Sequence, residues 1–102
     1  ERLRVLELGS GCGTLGLGYA AMVPSSQVLL TDPDMPTQFD EEAEASSSTL
    51  EWLRSNLVLN ADALGDRVDA AALLWGNHEH ADTILRDSRW SAGFDLILGS
   101  DL

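Results

Sequence analysis

The sequence predicts an α/β protein built on a doubly wound parallel sheet, and three observations carry that prediction. Short apolar runs read as strands at Leu3 to Leu8, Gln27 to Thr31, Val68 to Leu74 and Phe94 to Leu98. Stretches of helical character lie between several of them. A glycine-rich turn follows the first run, and residues able to do chemistry stand just past the others. Strands alternating with helices imply right-handed crossovers and therefore parallel pairing. Ligands of such sheets lie beyond the carboxyl ends of the strands, near the point where the strand order reverses.

The first run, Leu3 to Leu8, is nearly continuous apolar sequence, as expected for a strand buried on both faces. After Gly13, the residues Leu15, Leu17, Tyr19, Ala20, Ala21 and Met22 read as a short buried helix closed by Pro24. "SQVLLTD" gives a second strand with Asp32 just past its end. The next segment, near 33–47, is acidic and rich in Pro and Ser, and reads as a solvated loop insertion. Ser48 and Glu51 form a capping box, and Leu50, Leu53 and Leu57 share one helix face running to about Asn60 or Ala61. Val68 to Leu74 is a third strand despite its alanines, "HEHADTILRD" is a helix or a loop, and Phe94 to Leu98 is a fourth buried strand ending at Gly99. The sequence shows no internal repeat.

At 102 residues and 44% hydrophobic, the chain suffices for one core. Its beginning at Glu1 and its end at Leu102, directly after an apolar run, lead to the expectation of a piece of a longer protein. A net charge of −11 opposes a nucleic-acid partner, because affinity for phosphate backbones comes from cations. A lone cysteine, Cys12, excludes an internal disulfide framework, and there is no apolar span of membrane length. The expectation is a soluble monomer of a reducing compartment, cytoplasmic with the nucleus as the alternative.

In "VLELGSGCGTLGLGYAA" the glycines allow backbone N–H groups to approach a ligand, and the helix start behind them favours negative charge. Gly11, Gly13 and Gly16 formally satisfy the dinucleotide pattern G-x-G-x-x-G, and Asp32, about twenty residues on, suits ribose hydroxyls. The pattern by itself leaves nicotinamide and other nucleotides open, along with a tight turn that binds nothing. Glu7 shifts the balance. A carboxylate in a buried strand is costly without a partner, and it would repel a pyrophosphate. It would attract S-adenosylmethionine, which carries an ammonium and a sulfonium. The competing reading pairs Glu7 with Arg2 or Arg4 at the strand edge.

"VLELGSGCGTLGL", "LLTD", "LRSNLVLN", "LLWGN" and "FDLILGSDL", in that order, resemble the seven-strand S-adenosylmethionine-dependent methyltransferases of methyltransferase family 16, largely protein-lysine methyltransferases. The resemblance spans the chain except the loop around Asp40 to Ser47 and the segment His78 to Ala92. It implies the Rossmann-like sheet of the class I methyltransferase type, here its N-terminal, cofactor-binding half only. It further implies that Gly9, Ser10 and Gly11 meet the methionine part and that Glu7 orients it. Asp32 would hold the ribose, Trp75 would lie against the adenine, and Ser100 would approach from the other side. Asp101 and Leu102 resemble the start of a D-x-x-Y motif, which makes Asp101 a substrate-positioning residue; the chain ends before the tyrosine.

Simpler readings stand beside these. Trp75 can be a core residue at a strand end, Cys12 a packed cysteine, and Gly16 and Gly18 sites of close helix packing. His78 and His80 flank Glu79 but lack further metal ligands nearby, so they read as loop residues. No metal is called for, since a sulfonium methyl is already activated. The expected reaction is methyl transfer to the side-chain amine of a protein lysine. The rivals are a nicotinamide oxidoreductase and an inactive cofactor-binding remnant.

Overall fold

The computed structural model describes residues 2–33 and 49–99. Along the chain come β1 (Leu3–Leu8), α1 (Thr14–Met22), β2 (Ser26–Asp32), α2 (Thr49–Leu59), α3 (Ala61–Leu64), β3 (Val68–Ala72), α4 (His78–Arg86) and β4 (Leu96–Gly99). The strands form one sheet in the order β3-β2-β1-β4, and every pairing is parallel. The chain therefore winds outward from β1 through β2 to β3, then returns to the other side of β1 for β4. That reversal lies beside β1, whose carboxyl end carries the glycine loop.

Side chains alternate across the strands and divide the core into two layers. Val5, Val28, Leu30, Val68 and Ala70 pack with Ala20 of α1, Leu50 and Leu53 of α2, and Leu64 of α3. On the other face, Leu6 and Leu29 pack with Ile84 of α4 and with Trp90, whose ring stacks on Phe94 at 5.3 Å. Helices on both faces of a parallel sheet account for the apolar character of β2 on both sides. Arg67, just before β3, ties one end of the structure together. Its guanidinium donates to the carbonyls of Ala20, Val23 and Ser26, joining the last turn of α1 to the start of β2.

Several expected boundaries and burials differ. α1 is not a buried helix: Gly16 and Ala20 face the sheet while Leu15 and Met22 are exposed, because only one face of α1 has a partner. β2 includes Asp32 as its last residue, paired with Ala72. β3 stops at Ala72 rather than Leu74, since β2 offers no ladder partner past Asp32. β4 begins at Leu96 rather than Phe94. The Asp95 carboxylate accepts the Arg4 N–H at 2.8 Å, and the regular register starts one residue later. β4 is also only half-buried, with Ile97 59% exposed at the edge of the described sheet. "HEHADTILR" is helical, so His78 and His80 belong to α4 and not to a loop. The acidic segment from Asp34 and the Ser48 half of the capping box lie outside the described residues.

Candidate functional site

The loop from Gly9 to Gly13 turns sharply out of β1 and into α1. Gly9, Gly11 and Gly13 all have positive φ (63°, 58° and 90°), a conformation that side-chain-bearing residues adopt at a cost. The loop is fixed from three directions. Ser10 N–H donates to the Thr31 carbonyl at 2.8 Å, Gly11 N–H donates to Asp32 Oδ2 at 3.0 Å, and the Asn56 amide of α2 donates to the Cys12 carbonyl at 2.7 Å. At Gly11 a Cβ would meet open space, so there its role lies in the backbone angle and not in crowding.

Glu7 sits behind this loop with only 2% of its surface exposed. Its Oε1 accepts no hydrogen bond among the described residues, and the nearby Ser10 Oγ has no partner either. Burial pushes the Glu7 carboxyl above the ordinary carboxylate range; the Ser10 hydroxyl and the Gly16 amide oppose that shift without cancelling it. The pairing of Glu7 with Arg2 or Arg4 is not found. Arg2 reaches Asp66 at 4.0 Å and Arg4 reaches Asp95 at 3.4 Å, both away from the loop.

Asp32 ends β2 on the same face as Glu7, by strand alternation from Leu30, and is 7% exposed. Its Oδ2 takes the Gly11 N–H and its Oδ1 takes the Thr49 hydroxyl at 2.6 Å. One strand further out, Leu73 N–H donates to the Asp32 carbonyl. The chain then makes a turn from Leu74 to Asn77, closed by Asn77 N–H to Leu74 O at 2.9 Å, with Gly76 at φ 87°. Trp75 occupies the outward corner of that turn and is 58% exposed, which removes the core reading. His80 Nδ1 accepts the Leu74 N–H at 3.0 Å, and Asn77 caps the His80 N–H, so α4 holds the turn in place.

The structure thus lines up the Trp75 turn, Asp32 and the Glu7 loop along the carboxyl ends of β3, β2 and β1. Ser100 and Asp101 lie outside the described residues. Cys12 is exposed rather than packed, and the Thr14 hydroxyl, 3.2 Å from its sulfur, holds its pKa below the usual thiol value. Gly16 serves close packing as expected, but a Cβ on Gly18 would meet nothing within 4 Å. No group of three or more potential metal ligands occurs among the described residues. Sequence reasoning missed Thr49, Asn56 and the His80 brace. In sequence Asn56 and Thr49 are not set apart from the other polar residues of α2, Glu51, Arg54 and Ser55.

Fold and loop together define a Rossmann-like α/β chain of the kind that opens class I methyltransferases. Comparison with known proteins narrows the class. The pattern of the lysine methyltransferase family matches residues 1–102, and the chain belongs to that family. It is 32% identical over 101 residues to the protein-lysine N-methyltransferase EFM3 of Chaetomium thermophilum, covering 97% of this chain and 26% of that protein. It is 29% identical over 99 residues to a calmodulin-lysine N-methyltransferase of Arabidopsis thaliana, with 96% and 26% covered. A UPF0665 family protein of Schizosaccharomyces pombe is 29% identical over 75 residues, or 74% of this chain and 19% of that protein. The chain spans about a quarter or less of the length of these relatives.

Proposed function

We propose that this chain forms the cofactor-binding part of an S-adenosylmethionine-dependent N-methyltransferase that acts on the side-chain amine of a protein lysine. The observation that carries the proposal is the orphaned Glu7 Oε1, buried behind a glycine loop with no cation to pair it among the described residues. A buried carboxylate oxygen that accepts no hydrogen bond is costly, and a ligand that brings a positive group relieves the cost. Membership of a lysine methyltransferase family, and the names carried by two of its relatives, support the same reading. The residues fit such a cofactor. Glu7 and the Ser10 hydroxyl would receive the amino-acid end, with the Gly9–Gly11 backbone beside them. Asp32 would accept from the ribose, and the exposed Trp75 indole offers a broad apolar face for the adenine. A pyrophosphate at the loop would face the buried Glu7 carboxylate, which disfavours the nicotinamide alternative.

Bound S-adenosylmethionine supplies a methyl group already activated by its sulfonium. What the protein must add is alignment and a neutral lysine. Removing the ammonium proton at pH 7 costs about 4–5 kcal/mol from a reference pKa of about 10.4. Desolvation around the amine and an acceptor at its nitrogen lower that cost. Asp101 is proposed as that acceptor and positioning group, on the strength of its place after β4, and Ser100 as a cofactor contact. A protein substrate, a monomeric state and a cytoplasmic location, with the nucleus as alternative, belong to the same proposal.

The test is calorimetric titration with S-adenosylhomocysteine and, separately, with NAD. Binding of the former and not the latter is expected. Binding of NAD alone would sink the reading, and binding of neither would favour an inactive remnant. Normal turnover by an Asp101→Ala enzyme would remove Asp101 from substrate positioning.

A further inference from the structure

Asp32 is held from both sides, and the second hold has no assigned purpose. Gly11 N–H occupies one lone pair of Oδ2, and Thr49 Oγ1 occupies one of Oδ1 at 2.6 Å, within the range of a charge-assisted O–H···O⁻ bond. A hydroxyl at the N-cap of a helix ordinarily accepts from the backbone of its own helix. That of Thr49 donates instead to a carboxylate on a neighbouring strand. The carboxylate thereby lies at the start of α2, where the helix dipole favours negative charge. An ionised carboxylate offers about four acceptor positions, two on each oxygen. With one on each oxygen taken by the described residues, the carboxylate plane is fixed and each oxygen keeps one further position. A vicinal diol needs one acceptor for each of its two hydroxyls.

We propose that Thr49 is the positioning residue for nucleoside recognition: from the first turn of α2 it fixes the Asp32 carboxylate so that both oxygens can accept from the 2′ and 3′ hydroxyls of a ribose. The preference for ribose over a deoxyribose then depends on a residue that does not itself touch the sugar. This inference rests on the cofactor reading above and adds to it the residue that sets sugar specificity.

The experiment is calorimetric titration of the protein, Thr49→Val and Thr49→Ser with S-adenosylhomocysteine, together with displacement by its 2′,3′-dideoxy analogue. Thr49→Val should weaken S-adenosylhomocysteine binding by about tenfold, the loss expected when one hydrogen bond to a charged group is removed. Thr49→Ser should stay within about twofold of the unsubstituted protein. Affinity for the dideoxy analogue should be the same in all three, so the ribose preference falls about tenfold in the valine variant alone. Should the valine variant fail to fold, Thr49→Ala takes its place with the same expectation. An equal loss for both ligands, or no loss in the variant lacking the hydroxyl, overturns the role of Thr49 while leaving the cofactor reading intact. Absence of S-adenosylhomocysteine binding by the unsubstituted protein overturns the cofactor reading itself.

Discussion

Glu7 of β1 fills the space that a side chain on Gly16 of α1 would need: a Cβ there would fall 2.8 Å from Glu7 Oε1 and 2.1 Å from Leu30 Cδ2. The absence of a side chain at one position lets the first turn of α1 close over the buried carboxylate. Gly18, two residues on, has open space around it.

The two glycines should therefore respond in opposite directions to the same substitution. Gly16→Ala forces Leu30 or Glu7 out of place and is expected to cost about 1–3 kcal/mol. Gly18→Ala removes backbone freedom from the unfolded chain and should add about 0.5–1 kcal/mol. Thermal unfolding of both variants checks this, and a loss of stability in each would mean that α1 sits differently on the sheet.

Replacing Glu7 by Gln should raise stability while weakening the cofactor. The folded-state pKa of Glu7 is raised by burial, so folding takes up a proton that the unfolded chain releases. Its favourable contribution is full below the ordinary carboxylate range and is lost as pH rises through the raised value. Above that raised value the ionised carboxylate is a burden, and there Glu7→Gln should gain on the order of 1 kcal/mol, about 4–8 °C in Tm at this size. The gain should vanish as pH falls below the ordinary carboxylate range. S-adenosylhomocysteine should bind Glu7→Gln at least about tenfold more weakly, in keeping with loss of a charge-assisted contact. Denaturation followed across pH 4–8, with calorimetry at pH 7, measures both halves.

Trp75 should separate binding from stability. Because the indole is mostly exposed at the corner of its turn, Trp75→Ala should leave Tm within about 2 °C of the parent. Its affinity for S-adenosylhomocysteine should fall about tenfold, while Trp75→Phe keeps most of it. A large drop in Tm would return Trp75 to a structural role.

Arg67 should behave as a structural residue alone. Its guanidinium reaches three carbonyls from two elements at 3.0 to 3.4 Å. Arg67→Met removes the donor to the Ala20 and Ser26 carbonyls, while Val23 O keeps its bonds from Ser26, and should cost about 1–3 kcal/mol. Arg67→Lys should recover only part, since a compact ammonium cannot span the fork. Ligand affinity measured well below each Tm should be unchanged.

Much of the fold was legible because its signals are local. β1 is found at the predicted residues since an apolar run bounded by glycines has few alternatives, and α2 follows from the spacing of Leu50, Leu53 and Leu57. The errors cluster where a partner decides. β3 ends early because β2 does, and β4 starts late because Asp95 takes the Arg4 N–H. α1 is half-exposed because its apolar residues exceed the face the sheet can cover. The site shows the same division. Glu7, Asp32 and the loop glycines could be picked out, since an acid in an apolar strand and glycines at a strand end are visible in one dimension. Thr49, Asn56 and His80 could not, because each acts through a bond to a residue far along the chain or across a turn.

The sequence by itself determined the alternation of strands and helices, the parallel sheet that follows from it, and the presence of a buried acid before a glycine loop. Only the tertiary structure decided that neither Arg2 nor Arg4 reaches Glu7, that Trp75 faces outward, and that Asp32 is held by Gly11 and Thr49 together. The physical reason is one of range. Hydrophobic periodicity and glycine conformation act over a few residues, whereas the pairing of a buried charge depends on which distant groups the folded chain brings within about 3 Å of it.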